Sequence, residues 1–135
     1  MAFIWREELL VGDEKVDSQH KELFRIVNTL IDACHAGKGL DVVDDIMKFL
    51  LDYTVQHFNG EEALQRSVGF PDHQNHKGLH EAFKAHAKEL YEELKAKGPS
   101  AVFVTKVNST VGEWLITHIK KEDKKLGEHM KAKGH

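Results

Sequence analysis

Four stretches of this sequence carry apolar residues at steps of three and four, and the first three stop at short Gly or Pro interruptions. Asp17-Ser18 offers an N-cap before a run with Leu23, Val27, Leu30, Ile31 and Cys34 on one face, which stops at Gly37-Lys38-Gly39. Asp41 can cap a second run, with Ile46, Phe49, Leu50, Tyr53 and Leu64 on its stripe, ending near Gly69-Phe70-Pro71. Asp72 can open a third, with Phe83, Ala87, Leu90 and Leu94 on one face, closed by Gly98-Pro99. Ser100 then caps a fourth, striped by Val104, Val107, Val111, Trp114 and Leu115. Sustained period-2 alternation and Asn-Gly or Asp-Gly hairpin turns are missing. The spacing therefore predicts an all-α chain, an up-down-up-down antiparallel four-helix bundle with helices over about 18–36, 41–68, 72–96 and 100–131. Residues 1–16 hold Phe3, Ile4, Trp5, Leu9, Leu10 and Val11 without clean helical spacing and read as an N-terminal arm packed on the bundle. There is no internal repeat or linker, so residues 1–135 read as one domain.

Composition narrows the function classes. A chain of 135 residues, 41% hydrophobic and 30% charged, suits one buried core rather than a disordered segment. Nineteen Lys+Arg against 22 Asp+Glu give a formal net charge of -3, no strong field for nucleic acid or an anionic membrane surface. No apolar run is long enough to span a bilayer. The start, Met1-Ala2-Phe3-Ile4-Trp5-Arg6, lacks the apolar stretch of a signal peptide, so a cytoplasmic location is expected. The single cysteine, Cys34, excludes a disulfide framework and a cysteine-built zinc or iron–sulfur site, and reads as a buried, inert thiol. The anomaly is the number of histidines, 10 in all.

Extending each apolar stripe shows where those histidines go. On the first helix His20 lies three residues before Leu23; on the second the stripe continues Tyr53, His57, Glu61, Leu64. On the third, His76 and His80 precede Phe83, Ala87 and Leu90 in register, and on the fourth Trp114-Leu115 lead to His118. Every helix thus points an imidazole inward, and a buried polar group without a partner costs kilocalories. Metal coordination satisfies all of them together, because i, i+4 pairs such as His57/Glu61 and His76/His80 lie about 40° apart on one face. Asp123 fits less well: five steps of about 100° put it about 140° from His118 on an ideal α-helix, so only a local helix irregularity or a carboxylate reaching across would bring it in.

These residues resemble the hemerythrin family, and in particular its bacterial members, from about Trp5 to Asp123. The resemblance rests on Asp17-Ser18-Gln19-His20 with Leu23-Phe24, on His57-Phe58-Asn59-Gly60-Glu61-Glu62, on Phe70-Pro71 before His76-x-x-x-His80-x-x-Phe83, and on Trp114-Leu115-x-x-His118-Ile119-x-x-x-Asp123. The five-residue step to Asp123 is the family's own spacing. The resemblance implies two irons, His76, His80 and His118 on one and His20 and His57 on the other, bridged by Glu61, Asp123 and an oxo or hydroxo group. Two six-coordinate irons need 6 + 6 = 12 positions; five imidazoles, two bridging carboxylates and the bridging oxygen fill 5 + 4 + 2 = 11. The open position falls on the iron with two histidines, where the family binds O2 reversibly. Other small ligands such as azide or nitric oxide are expected to compete there. Five neutral imidazoles favour iron(II) more than a carboxylate-rich set does. Leu23, Phe58, Trp114, Leu115 and Ile119 flank the ligands by spacing and match the family's apolar ligand pocket.

The function implied is reversible O2 binding at a non-haem di-iron centre for carriage, storage or delivery, and not enzymatic turnover, since no acid/base residue is left beside the assigned ligands. Rival readings are an O2- or redox-sensing domain of a larger signalling protein, a di-iron peroxidase or nitric oxide scavenger, and a metal store or zinc-binding bundle. His35, His86, His129 and His135 read as solvated. His73 shares a face with His76 and His80, but the family pattern skips it. The charged tail from Lys120 reads as a solvated helix end, and Gly60, Gly78 and Gly112 inside helices have no reason visible in the sequence.

Overall fold

The structure, a computed structural model, describes residues 3–134; His135, expected to be solvated, lies outside the described residues. Three helices run unbroken, α1 (Glu14–His35), α2 (Leu40–Ser67) and α3 (His73–Lys97). The fourth, α4, is one continuous rod over residues 101–132 built of five stretches. Ala101–Lys106 is α-helical, Val107–Glu113 π-helical, Trp114–His118 α-helical, Ile119–Asp123 π-helical and Lys124–Ala132 α-helical. α1 packs on α2, α2 on α3, and α4 on both α1 and α3, so the short connections make sequence neighbours antiparallel around one core. The chain is an all-α four-helix bundle, with no strand among the described residues.

Helix ends follow local chemistry that the sequence only partly exposes. α1 starts before Asp17-Ser18: Asp13 is its cap, accepting from the Val16 N–H at 3.0 Å. Asp17 is instead buried in the first turn, where its two oxygens accept from the Val11 and Gly12 N–H groups at 2.8 and 3.2 Å and tie the arm to the helix. α2 begins behind Gly39 rather than Asp41, which adds its charge to the first turn. α3 stops at Gly98, whose φ of +77° favours glycine. Ser100 then caps α4 by accepting from the Phe103 N–H at 3.1 Å.

The core contains Leu23, Val27, Leu30, Ile31, Leu50, Phe83, Leu90, Leu94, Val107 and Val111, close to the stripes. On α2, however, the buried face is Val43, Met47, Leu50 and Thr54, itself a run of steps of three and four, and Phe49, one position off it, is 50% exposed. On α4, Phe103 rather than Val104 is buried. Cys34 is half-buried, and burial pushes its thiol pKa up, away from the reactive thiolate.

The arm is docked by backbone as well as side chains. The Asn28 side-chain amide donates to the Phe3 carbonyl and its oxygen accepts from the Phe3 N–H, each at 2.7 Å. Trp5 sets its ring edge-on to Phe24 at 5.4 Å, and Leu9, in a short 3-10 turn (Glu7–Leu9), is buried. The Phe3 ring occupies the space that a Cβ at Gly112 would need, and the Val11 carbonyl does the same at Gly127. Gly112 is therefore a notch for the arm, whereas a Cβ at Gly60 or Gly78 would meet open space.

Gly112→Ala should displace Phe3 and lower stability by about 1–3 kcal/mol, the usual cost of overpacking. Urea unfolding of the wild type, Gly112→Ala, Phe3→Ala and the double variant should show strongly sub-additive losses. Additive losses would mean that the notch and the ring do not interact.

Candidate metal centre

All seven inward polar residues meet in the middle of the bundle, each with 5% exposure or less. α1 delivers His20, α2 His57 and Glu61, α3 His76 and His80, and α4 His118 and Asp123. The π-helical stretch Ile119–Asp123 resolves the awkward spacing of the last pair. A π turn bonds i to i+5 and so brings Asp123 back over His118, where Asp123 Oδ1 lies 3.1 Å from His118 Nε2.

The ligand atoms fall into two groups, each with all its members within 4.8 Å of one another: His76, His80, His118 with Glu61 and Asp123, and His20, His57 with the same two carboxylates. Each carboxylate divides its oxygens between the groups. Glu61 Oε1 lies 2.8 Å from His76 Nε2 and 3.4 Å from His80 Nε2, while its Oε2 lies 3.3 Å from His57 Nε2 and 3.8 Å from His20 Nε2. Asp123 Oδ1 faces His76 at 2.9 Å and His118 at 3.1 Å, and its Oδ2 faces His20 at 3.0 Å.

The donor set fits a cation better than it fits itself. Both oxygens of Glu61 and of Asp123, and His20 Nε2, are buried without a hydrogen bond: neighbours are close but not aligned to bond. His118 Nε2 lies 2.9 Å from His76 Nε2 and 3.2 Å from His80 Nε2, and one proton can serve only one such pair at a time. Burial opposes ionisation of both carboxyls, and Asp123 further disfavours charge on Glu61, but His57, His76 and His80 hold Glu61, and His118, His20 and His76 hold Asp123, well below the usual carboxylate range. Burial likewise opposes charge on His76, but Asp123 and Glu61 outweigh it and raise its pKa to about 9. Two buried anions are thus kept ionised, as a polycation site requires. Nitrogen and carboxylate donors without thiolate suit a first-row transition metal.

A layer behind these groups fixes the imidazoles. His57 Nδ1–H donates to Gln19 Oε1 at 2.7 Å, and His80 Nδ1–H donates to Glu62 Oε2 at 2.9 Å. Phe58 stacks on His80 at 3.8 Å with an interplanar angle of 2°, and Trp114 on His118 at 4.4 Å and 10°. Gln19 and Glu62 stand in the family motif but on no apolar stripe: each adjoins a stripe residue, a position that ordinarily points to solvent. Glu62 is a buried carboxyl touching His80, so an acid/base group does stand beside the candidate ligands, where none is expected from the sequence.

Phe58 and Trp114 also wall a cavity of about 10 Å³, close to the space of one water. Of the five residues expected around a small ligand, Leu23, Phe58, Trp114 and Leu115 line it. Ile119 does not, though it is fully buried next to His118. Val27, Leu50, Phe83 and Val111 complete the apolar wall, and the one polar member, Thr54, donates its hydroxyl to the Leu50 carbonyl at 2.7 Å. His73 joins neither metal group; its Nδ1 meets Gln65 Oε1 at 2.8 Å. His129 is half-buried rather than solvated, donating to the Val68 carbonyl at 2.8 Å beside Phe70. His35 and His86 are exposed.

Comparison with known proteins agrees with this geometry. The hemerythrin HHE cation binding domain matches residues 11–129. A hemerythrin-like protein of Naegleria gruberi is 34% identical over 132 residues, 98% of this chain and 92% of that protein. The bacteriohemerythrin of Pseudomonas aeruginosa (strain LESB58) is 29% identical over 120 residues, 89% of this chain and 76% of that protein. The crystal structure of a wild-type hemerythrin superposes with a TM-score of 0.84 at 29% identity, covering 94% of this chain and 96% of that one.

The shifts fix the sign of a pH dependence in the metal-free protein. His76, raised to about 9, contributes stability that is complete below about 6.5 and lost as pH rises toward 9. Glu61 and Asp123, both lowered, contribute stability that is present above about 4 and lost in acid. Calorimetry should find the Tm of chelator-treated protein highest near pH 5–6 and falling toward pH 9, while metal protection grows over the same range as the ligands lose their protons. A metal-free Tm that climbs steadily to pH 9 would contradict the electrostatics described.

Proposed function

The chain belongs to the hemerythrin family, and we propose that it binds O2 reversibly at a non-haem di-iron centre, for oxygen carriage, storage or delivery. His76, His80 and His118 would hold one iron, His20 and His57 the other, with Glu61 and Asp123 bridging. The observation that carries this reading is the division of each carboxylate's two oxygens between a three-histidine and a two-histidine group. The two-histidine side has one fewer protein donor and so has room for an external ligand. When bound, the two irons supply an open coordination position and two electrons for O2.

The protein's own residues make that binding reversible. Five neutral imidazoles favour the reduced metal, and the stacked Phe58 and Trp114 rings hold two of them in plane. The small cavity beside them keeps water out: its walls are apolar, and its lone hydroxyl, on Thr54, is already committed to a helix carbonyl. A dry wall protects the oxygenated state, because water and protons promote the irreversible loss of oxygen in reduced form. Neither a carboxyl nor an imidazole is among the residues lining the cavity.

Anaerobic loading with ferrous iron, exposure to O2 and return to argon tests the reading. Two irons and one O2 per chain are expected, with visible spectra that cycle several times. Irreversible ferric conversion on first exposure, or peroxide or nitric oxide turnover far above autoxidation, would overturn it. Leu115→Ala should enlarge the cavity, admit water and speed autoxidation several-fold; an unchanged rate would remove Leu115 from the ligand's surroundings.

A further inference from the structure

The two halves of the centre differ in what stands behind their imidazoles. Behind His80, in the three-histidine half, is a carboxylate: Glu62 Oε2 accepts from Nδ1–H at 2.9 Å, and the Glu62 side chain is 7% exposed. Behind His57, in the two-histidine half, is a neutral amide, Gln19 Oε1, at 2.7 Å. His20 Nδ1 and His76 Nδ1 are buried without a partner. From this asymmetry we infer that Glu62 is a positioning residue whose charge, acting through His80, makes the three-histidine half of the centre the easier half to oxidise. The inference rests on the di-iron reading above.

Orientation alone does not call for a carboxylate. Either acceptor fixes the same tautomer, with the proton on Nδ1 and the Nε2 lone pair turned inward; His80 Nε2 accordingly lies 3.4 Å from Glu61 Oε1. Gln19 does this for His57 with a neutral group. Glu62 is also among the buried polar residues of the chain, and burying a charge is far costlier than burying an amide. Phe58, stacked at 3.8 Å on His80, already restrains the ring plane. What the carboxylate adds is negative charge. An imidazole hydrogen-bonded to an anion is a stronger electron donor, and in a buried site that charge favours the more highly charged state of the metal behind it. It falls on the half that would hold its iron with three histidines and leave less room for an external ligand.

The test compares iron-loaded wild type, Glu62→Gln and Gln19→Glu by iron content, Tm and spectroelectrochemical midpoint potential. Glu62→Gln keeps an acceptor for His80 and removes a buried charge, so it should retain wild-type iron content with a Tm no lower than the wild type's. Its ferric-to-ferrous ratio at the wild-type midpoint should fall about tenfold, a shift of 59 mV upward for a one-electron couple. Gln19→Glu should shift the potential of its half downward. An unmoved potential in fully loaded Glu62→Gln overturns the inference. Loss of iron from Glu62→Gln overturns it too, because charge and orientation would then be inseparable at this position. A wild type that does not take up two irons overturns the di-iron reading instead, so the two failures are distinct.

Discussion

Two carboxylates, Glu61 and Asp123, are 1% exposed in the centre of a helical bundle, with no hydrogen bond to any of their four oxygens. That arrangement is tenable only if positive charge meets them, and the rest of the molecule supplies the means. Each helix brings at least one donor to a shared point, so neither histidine group is complete on a single helix and the site cannot assemble before the bundle does. Cation binding energy at such a site is also folding energy. The surrounding shell then reduces freedom: aromatic rings stack on two imidazoles, and side-chain acceptors fix the tautomers of two.

The fourth helix shows how function enters the fold. An ideal α-helix carries a core stripe efficiently but would aim Asp123 away from His118. The stretch Ile119–Asp123 departs to i, i+5 hydrogen bonding, and the departure sets the carboxylate between the two histidine groups. A second π stretch, Val107–Glu113, holds Gly112 under the Phe3 ring, so the arm rests on the same irregular helix that presents Asp123. Local distortions of this kind cluster at functional sites in helical proteins.

Much of this was legible in the sequence, because hydrophobic periodicity reports burial directly. His20, His57, Glu61, His76, His80 and His118 lie in register with core stripes, so a reading of those stripes gathers them without any structure. Asp123 needed the family pattern, since spacing on a regular helix argues against it. The residues that escaped lack a periodic signal. Glu62 and Gln19 sit one step from inward positions, and Glu62 is buried and Gln19 half-buried by what packs over them, not by their own phase. Phe49 looked like core because it is large and apolar, yet Val43 and Met47 carry the buried face. Asp17 looked like a cap because caps and arm clasps use the same residue types, and only the arm's path decides between them.

The central claim is that these side chains hold two irons that share Glu61 and Asp123. Crystals of protein loaded anaerobically with ferrous iron, measured on both sides of the iron absorption edge, test it most directly. The account predicts two anomalous peaks at full occupancy, one among His76, His80 and His118 and one beside His20 and His57, with an oxygen of each carboxylate on either side. A single peak, or two peaks that do not share those carboxylates, would contradict it.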